Sequence, residues 1–356
     1  MGHHVLNFFP LMSTRRITMA DVAREANVHQ TTVSLALRND PRLPVETRAR
    51  ISALAEKMGY RPDPMLSALN FYRASRENVK TPPSMAIVMR SRVGRLATAC
   101  YAENQFEKGA RQACARMGYR LVVFEVGGAP AEGMRLSRIL RSRGIGGVIL
   151  ASLDTTIPKL DVDWDHFSAL CIESQHLGLS LHTVANNQSG ITRMAVRRVC
   201  ELGYRRIGLA VGEVEEAALG NPFAAGYLVE VHGRKELTMI PPHFLRNGPT
   251  ATIVRELGAW VRRHRIDAVL SNWSTMLEKL EAAGFRIPQK LGLATLDHNP
   301  HKGAAAGMRQ SHELVGDRAV EALALLMKTN QKGQINLPNT TLVDGFWQDG
   351  PELPRK

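Results

Sequence analysis

His29-Gln30-Thr31-Thr32-Val33-Ser34 brings four short polar side chains, Gln30, Thr31, Thr32 and Ser34, into little more than one helical turn. Amide and hydroxyl groups of this kind donate and accept hydrogen bonds without changing charge. Presented from the first turns of a helix, they suit the base edges and phosphate oxygens of duplex DNA. Bond-breaking arrangements are missing: the chain has no G-x-S-x-G, Walker loop or H-E-x-x-H. His298 and His301 stand at i, i+3, but with no cysteine nearby and only scattered acids they read as a solvated loop pair. Four cysteines (Cys100, Cys114, Cys171, Cys200) lie far apart, which excludes a zinc-knuckle spacing and a disulfide framework. No metal or cofactor is expected.

Three short helical patterns hold the polar row in place. Thr18, with Asp21 three residues on, forms a capping-box start, and Val22, Ala23 and Ala26 then share one face. Asn27 tolerates the left-handed conformation, so Ala26-Asn27-Val28 reads as a tight turn. A second helix over about Gln30–Arg38 points Val33, Ala36 and Leu37 inward. A third begins near Pro44, carries Ile51, Leu54, Ala55 and Met58 on a buried stripe, and stops at Gly59. Two helices on a short turn, buttressed by a third, make a helix-turn-helix. From Arg15 to Lys80 there are 12 Lys/Arg against 7 Asp/Glu, a surplus that suits a polyanion. Asp63-Pro64 then reads as N-cap and first residue of a short helix reaching about Tyr72.

The segment T-x-x-D-V-A-x-x-A-x-V, then T-V-S, T-R-x-x-I and G-Y-x-P, closely resembles the lactose-repressor (LacI) family of bacterial transcription regulators. The residues are Thr18, Asp21-Val22-Ala23, Ala26, Val28, Thr32-Val33-Ser34, Thr47-Arg48, Ile51, Gly59-Tyr60 and Pro62. The resemblance implies that Gln30 and Thr31 read bases, that Thr32 and Ser34 contact phosphates, that Thr18 also binds DNA, and that Leu69 wedges into the minor groove from a hinge helix. His29 stands where the family usually has Ser, and Leu35 where it usually has Arg, so the operator should differ. Arg38 and Arg42 are further candidates for phosphate or base contacts, or else lie solvated on the surface.

The remaining chain alternates strand-like and helix-like segments from Ala86 to Thr295, the pattern of parallel sheets covered by helices. Asn186-Asn187-Gln188-Ser189-Gly190, Leu202-Gly203-Tyr204-Arg205-Arg206-Ile207, Gly226-Tyr227, Gly284-Phe285-Arg286-Ile287-Pro288 and Leu342-Val343 resemble the family's core signatures. The expected fold is an all-α helix-turn-helix headpiece plus an α/β core of two parallel-sheet lobes, of the type I periplasmic-binding-protein kind. Its parts are a disordered leader at 1–14 (with Met12 as an alternative start), the headpiece at 15–62, hinge and linker at 63–83, and the two-lobed core at 84–350.

By position in the resembled family, Tyr101, Glu173, Phe223, Asn272, Trp273 and Asp297 fall in an effector cleft between the lobes. Phe223 replaces the usual arginine, Trp273 and His298 the usual acids, so the site exchanges charge for rings. The net charge of +13 at 356 residues adds non-specific attraction to DNA. No run is apolar enough to span a membrane. The reading is therefore a cytoplasmic, homodimeric, ligand-responsive regulator that binds a double-stranded DNA operator, more a repressor than an activator, with a sugar as one candidate effector. A solute-binding protein, or a regulator with no small-molecule effector, stays open at this level.

Overall fold

The structure is a computed structural model that describes residues 17–37, 40–60, 82–91, 101–127, 129, 131–151, 160–173, 178–299 and 306–356. The chain divides between Lys80 and Thr81 into an N-terminal unit and a core. In the first, α1 (Met19–Glu25), α2 (Gln30–Leu37) and α3 (Val45–Lys57) pack around Val22, Ala23, Ala26, Val33, Ala36, Ile51 and Ala55. Leu37, Leu54 and Met58 complete this small core from partly exposed positions. Each helix boundary has its chemical cause. Thr18 Oγ1 accepts the Asp21 N–H while the Thr18 N–H donates to Asp21 Oδ2, closing the capping box before α1. Asn27 takes the left-handed turn at φ 52°, and Gly59 does the same at φ 74° after α3. The leader, Arg38, and the whole stretch 61–81, with the expected hinge helix and Leu69, lie outside the described residues.

The core contains two six-stranded sheets. Lobe 1 is built from β1 (Ser84–Arg90), α4 (Tyr101–Arg116), β2 (Arg120–Val126), α5 (Glu132–Ser142), β3 (Gly147–Ala151), a single 3-10 turn (Trp164–His166), β4 (Ser168–Ile172) and β5 (His182–Asn186). The chain then crosses to lobe 2: α6 (Gln188–Glu201), β6 (Ile207–Gly212), α7 (Glu213–Ala218), α8 (Pro222–His232), β7 (His243–Leu245), α9 (Thr250–His264), β8 (Ala268–Ser271), α10 (Met276–Ala282), β9 (Gly292–Thr295) and β10 (Gly307–Arg309). It returns through α11 (His312–Lys328) and β11 (Thr340–Val343) to lobe 1, and crosses a third time to β12 (Phe346–Gln348) in lobe 2.

The strand orders are β11-β5-β4-β3-β1-β2 and β12-β10-β9-β8-β6-β7, so each lobe repeats the same doubly wound pattern. Every pairing is parallel except β10 with β12. Helices cover both faces of each sheet, which is why β1, β3, β4 and β6 are almost wholly buried apolar runs. Neither β5, β7, β10 and α7 nor the long α11 was among the elements expected from the sequence. The core also runs past residue 350. Leu353 is buried, the Tyr204 hydroxyl donates to the Pro354 carbonyl, and the Lys356 N–H donates to the Leu202 carbonyl.

The signature residues of the core serve packing. Asn187 Oδ1 accepts the Gly190 N–H and caps α6. Tyr227 sends its hydroxyl to the Ile207 and Ile240 carbonyls, pinning α8 to the sheet. Burial pushes that hydroxyl above the usual tyrosine range.

Candidate functional site

In the N-terminal unit, α2 presents His29, Gln30 and Thr31 as exposed residues at its N-terminus, with Thr32, Ser34 and Leu35 half-buried behind them. His29 has a definite task there. Its Nδ1 accepts the Thr31 N–H at 3.3 Å, and its carbonyl accepts the Thr32 and Val33 N–H groups. The imidazole therefore does the N-cap work that a serine hydroxyl would do at this position. The Thr31 hydroxyl is also hydrogen-bonded to His29 Nδ1, which leaves Gln30 as the longest outward side chain of the first turn. Arg42 is less available than its sequence position suggests. Its Nε and Nη2 form a two-pronged pair with Asp40 at 3.0 and 2.8 Å, so a phosphate must compete with that carboxylate.

In the core, the carboxyl ends of the strands of both sheets converge, the place where doubly wound folds bind ligands. Glu173 follows β4 with a left-handed backbone (φ 60°), an uncommon conformation for a side chain of this size. Its Oε1 accepts both the backbone N–H and the Nδ2 of Asn186, at 3.2 and 2.6 Å. Asn186 Nδ2 also lies 3.0 Å from His312 Nδ1, and Asn186 Oδ1 accepts the Ser311 N–H at 2.9 Å. His312 Nε2 reaches Asp297 Oδ1 at 2.9 Å. The result is a continuous line Glu173–Asn186–His312–Asp297 that starts after a strand of lobe 1 and ends after β9 of lobe 2. Burial raises the Glu173 carboxyl above the ordinary glutamate range, against the pull of His312 and Asn186. Burial opposes charge on His312, but Asp297, Glu173 and Glu103 together raise its pKa.

The six cleft residues expected from the sequence separate into three groups. Glu173 and Asp297 are joined by the polar line, and Tyr101 meets the His312 ring edge-on at 6.0 Å between centroids. Trp273 and Asp297 both line a small open pocket with Ser271, Met276, Leu277 and His298. The remaining two are engaged in packing. Asn272 Oδ1 accepts the Gly212 N–H, tying the ends of β6 and β8 together. Phe223 is 3% exposed in the core of lobe 2, where a buried ring fills volume and leaves no face for stacking. His298 is also corrected: it is buried rather than solvated, and burial lowers its pKa. His301 lies outside the described residues. Among the described residues, no cluster of three His, Cys, Asp or Glu could hold a metal.

His312 and Asn186 are the site residues that the sequence reading missed. The signal for Asn186 was present in the Asn-Asn-Gln-Ser-Gly stretch, read there only as a core signature. For His312 it was the period of Val315, Ala319, Val320 and Leu323, which defines α11 and places His312 at its first turn.

In this chain a helix-turn-helix with exposed polar residues on its second helix precedes a two-lobed α/β core. Residues 18–63 match the family described as "Bacterial regulatory proteins, lacI family". An HTH-type transcriptional regulator of Mycobacterium tuberculosis is 26% identical over 197 residues, a match covering 55% of this chain and 52% of that protein. This chain thus matches about half of that relative's length. The regulator PtxS of Pseudomonas plecoglossicida is 26% identical over 89% of this chain and 91% of its own. Among solved structures, a CelR–cellobiose complex superposes with a TM-score of 0.59 at 20% identity, covering 95% of this chain and 100% of that one. The lac repressor dimer bound to operator and the anti-inducer ONPF gives 0.55 at 17% identity, with 96% and 100% covered. Residues 18–63 are thus similar to the lacI-family DNA-binding domain, and the chain as a whole shares the fold of these solved regulators.

Proposed function

We propose that the chain is a homodimeric repressor that binds a near-palindromic operator in the cytoplasm and is controlled by a small polyhydroxylated effector of the carbohydrate class in its interlobe cleft. The observation that carries the DNA half is the capped, exposed first turn of α2, with Gln30 and Thr31 outermost. Gln30 suits an adenine edge, while Thr32 and Ser34 set register on the phosphates. The expected hinge helix with Leu69 as a minor-groove wedge belongs to the same reading. Symmetry supports the dimer, since a two-fold protein matches a two-fold site. The similar lac repressor is a dimer on its operator, and the similar CelR binds cellobiose. The effector half is supported by Asp297 and Trp273 lining one pocket of lobe 2, with Asp297 also ending the polar line that reaches lobe 1.

The test is selection of duplexes from a random DNA pool by the full chain, followed by titration of the selected complex with mono- and disaccharides. Recovery of an inverted repeat with half-sites about one helical turn apart is expected, together with release by at least one sugar. A direct repeat or no consensus would contradict the DNA half. An operator complex indifferent to every sugar would contradict the carbohydrate effector alone.

A further inference from the structure

His312 is 4% exposed, has a ring nitrogen at each end of a polar line, and belongs to no motif of the sequence. Its protonation state follows from its neighbours. The Ser311 N–H can only donate, so the atom of Asn186 that it meets is the amide oxygen. The Asn186 nitrogen then faces both Glu173 Oε1 and His312 Nδ1, and it too can only donate. Nδ1 must therefore accept, the ring proton sits on Nε2, and that proton is given to Asp297 Oδ1. Tyr101 and Phe106 hold the ring edge-on at 6.0 and 5.2 Å between centroids, so it cannot turn to exchange its two nitrogens without leaving its slot.

The bond spans the two lobes. His312 opens α11, whose buried Val315 packs in lobe 1 with Phe106, whereas Asp297 follows β9 in lobe 2. Asn186 and the Ser311 that donates to it sit where the chain changes lobe: Asn186 ends β5 just before the first crossing, and Ser311 lies in the second. Ser311 in turn donates its hydroxyl to the Asp344 carbonyl, and Asn187 Nδ2 donates to Asp344 Oδ1, in the third. The three crossings are thus bonded to one another through the same few residues.

We propose that His312 is the positioning residue of the effector site: fixed as the Nε2–H form by Asn186, it ties Asp297 to lobe 1 and makes lobe closure depend on that one bond. Asp297 is 28% exposed on its side chain, and its second oxygen makes no bond among the described residues. The carboxylate therefore greets an incoming hydroxyl or ammonium group as an acceptor with its orientation already set, and repels a carboxylate or phosphate. A second proton on His312 would land on Nδ1, directly opposite the Asn186 NH₂. Acid must then break the Asn186 contact, and with it the lobe-1 end of the line, although Asp297, Glu173 and Glu103 all face the ring and favour the cation. The role of Asp297 toward a ligand rests on the effector reading above, but the latch itself does not.

The test needs no effector. Full-length chain labelled with ¹⁵N-histidine is examined by long-range ¹H–¹⁵N correlation, with the His312 signals identified by their loss in His312→Gln. The Nε2–H tautomer is expected for the neutral ring, read at alkaline pH because the neighbouring carboxylates raise the His312 pKa; an Nδ1–H tautomer, or an averaged ring, would overturn the proposal. Interlobe distance is read by paired spin labels at Met134→Cys in lobe 1 and Val229→Cys in lobe 2, both exposed, in a Cys100→Ser, Cys200→Ser background. Burial holds the Cys114 and Cys171 thiols up at about 11 and about 12, so they compete poorly for label. His312→Phe keeps the ring in its slot and removes both bonds, and a longer, broader distance distribution is expected. Asp297→Ala removes only the acceptor and should lengthen it in the same way. Distances unchanged in a folded Asp297→Ala would overturn the latch. A correct tautomer and latch in a protein that binds no sugar would leave the latch standing and count against the carbohydrate reading only.

Discussion

Individual side chains carry definite consequences. His29 caps α2 through Nδ1, so His29→Ala should remove about 1 kcal/mol from the headpiece, seen as faster hydrogen exchange of the Thr31 and Thr32 amides. His29→Ser should restore the protection, because a hydroxyl can accept the same N–H; equal exchange in all three proteins would refute the cap. Glu216 offers a pH test. It is fully buried, one oxygen accepts the Ala224 N–H, the other has no partner among the described residues, and burial lifts its carboxyl to about 7. The folded protein keeps this proton where an unfolded chain, with an ordinary value near 4.5, has released it. The stability conferred by the neutral acid is full below that value, declines as pH rises to about 7, and stays lost above. Glu216→Gln should therefore melt within a degree or so of the parent at pH 4.5 and several degrees higher at pH 8. A melting difference independent of pH would contradict the assignment.

At the scale of elements, the placement of His312 depends on how closely α11 crosses α4. A Cβ on Gly109 would fall on the Glu313 carbonyl, and one on Gly316 would fall on the Phe106 carbonyl. Two helices notched by glycine on both sides approach backbone to backbone, and the ring that opens α11 is thereby set against Tyr101 and Phe106. Gly316→Ala should cost about 1–3 kcal/mol by overpacking, read from denaturant unfolding, and should lengthen the interlobe distance as His312→Phe does. A neutral substitution would show that the crossing has slack. These elements also mark what the sequence could and could not convey. The headpiece was legible residue by residue because its caps and turns are local: Thr18 with Asp21, Asn27, Gly59. The alternation of strand and helix was legible because buried parallel strands are continuous apolar runs. The short β7 and β10 were not, since three residues carry no period. The cleft was half legible. Position indicated Glu173 and Asp297, but the bond network between them joins residues 173, 186, 297 and 312, and separations of this kind leave no trace in a local pattern.

At the scale of the whole molecule, two repeats of one doubly wound sheet are joined by three crossings. A net charge of +13 favours any duplex, so affinity alone cannot distinguish a regulator from a basic bystander. Sequence preference can. The most direct measurement is a nuclease footprint of the full chain on the DNA upstream of its own coding sequence, at physiological salt and with competing random duplex. The result expected is a single protected stretch with two-fold symmetry, lost when residues 1–62 are deleted and shifted in sequence preference by Gln30→Ala. Protection that has no symmetry, or that survives deletion of residues 1–62, would contradict the account.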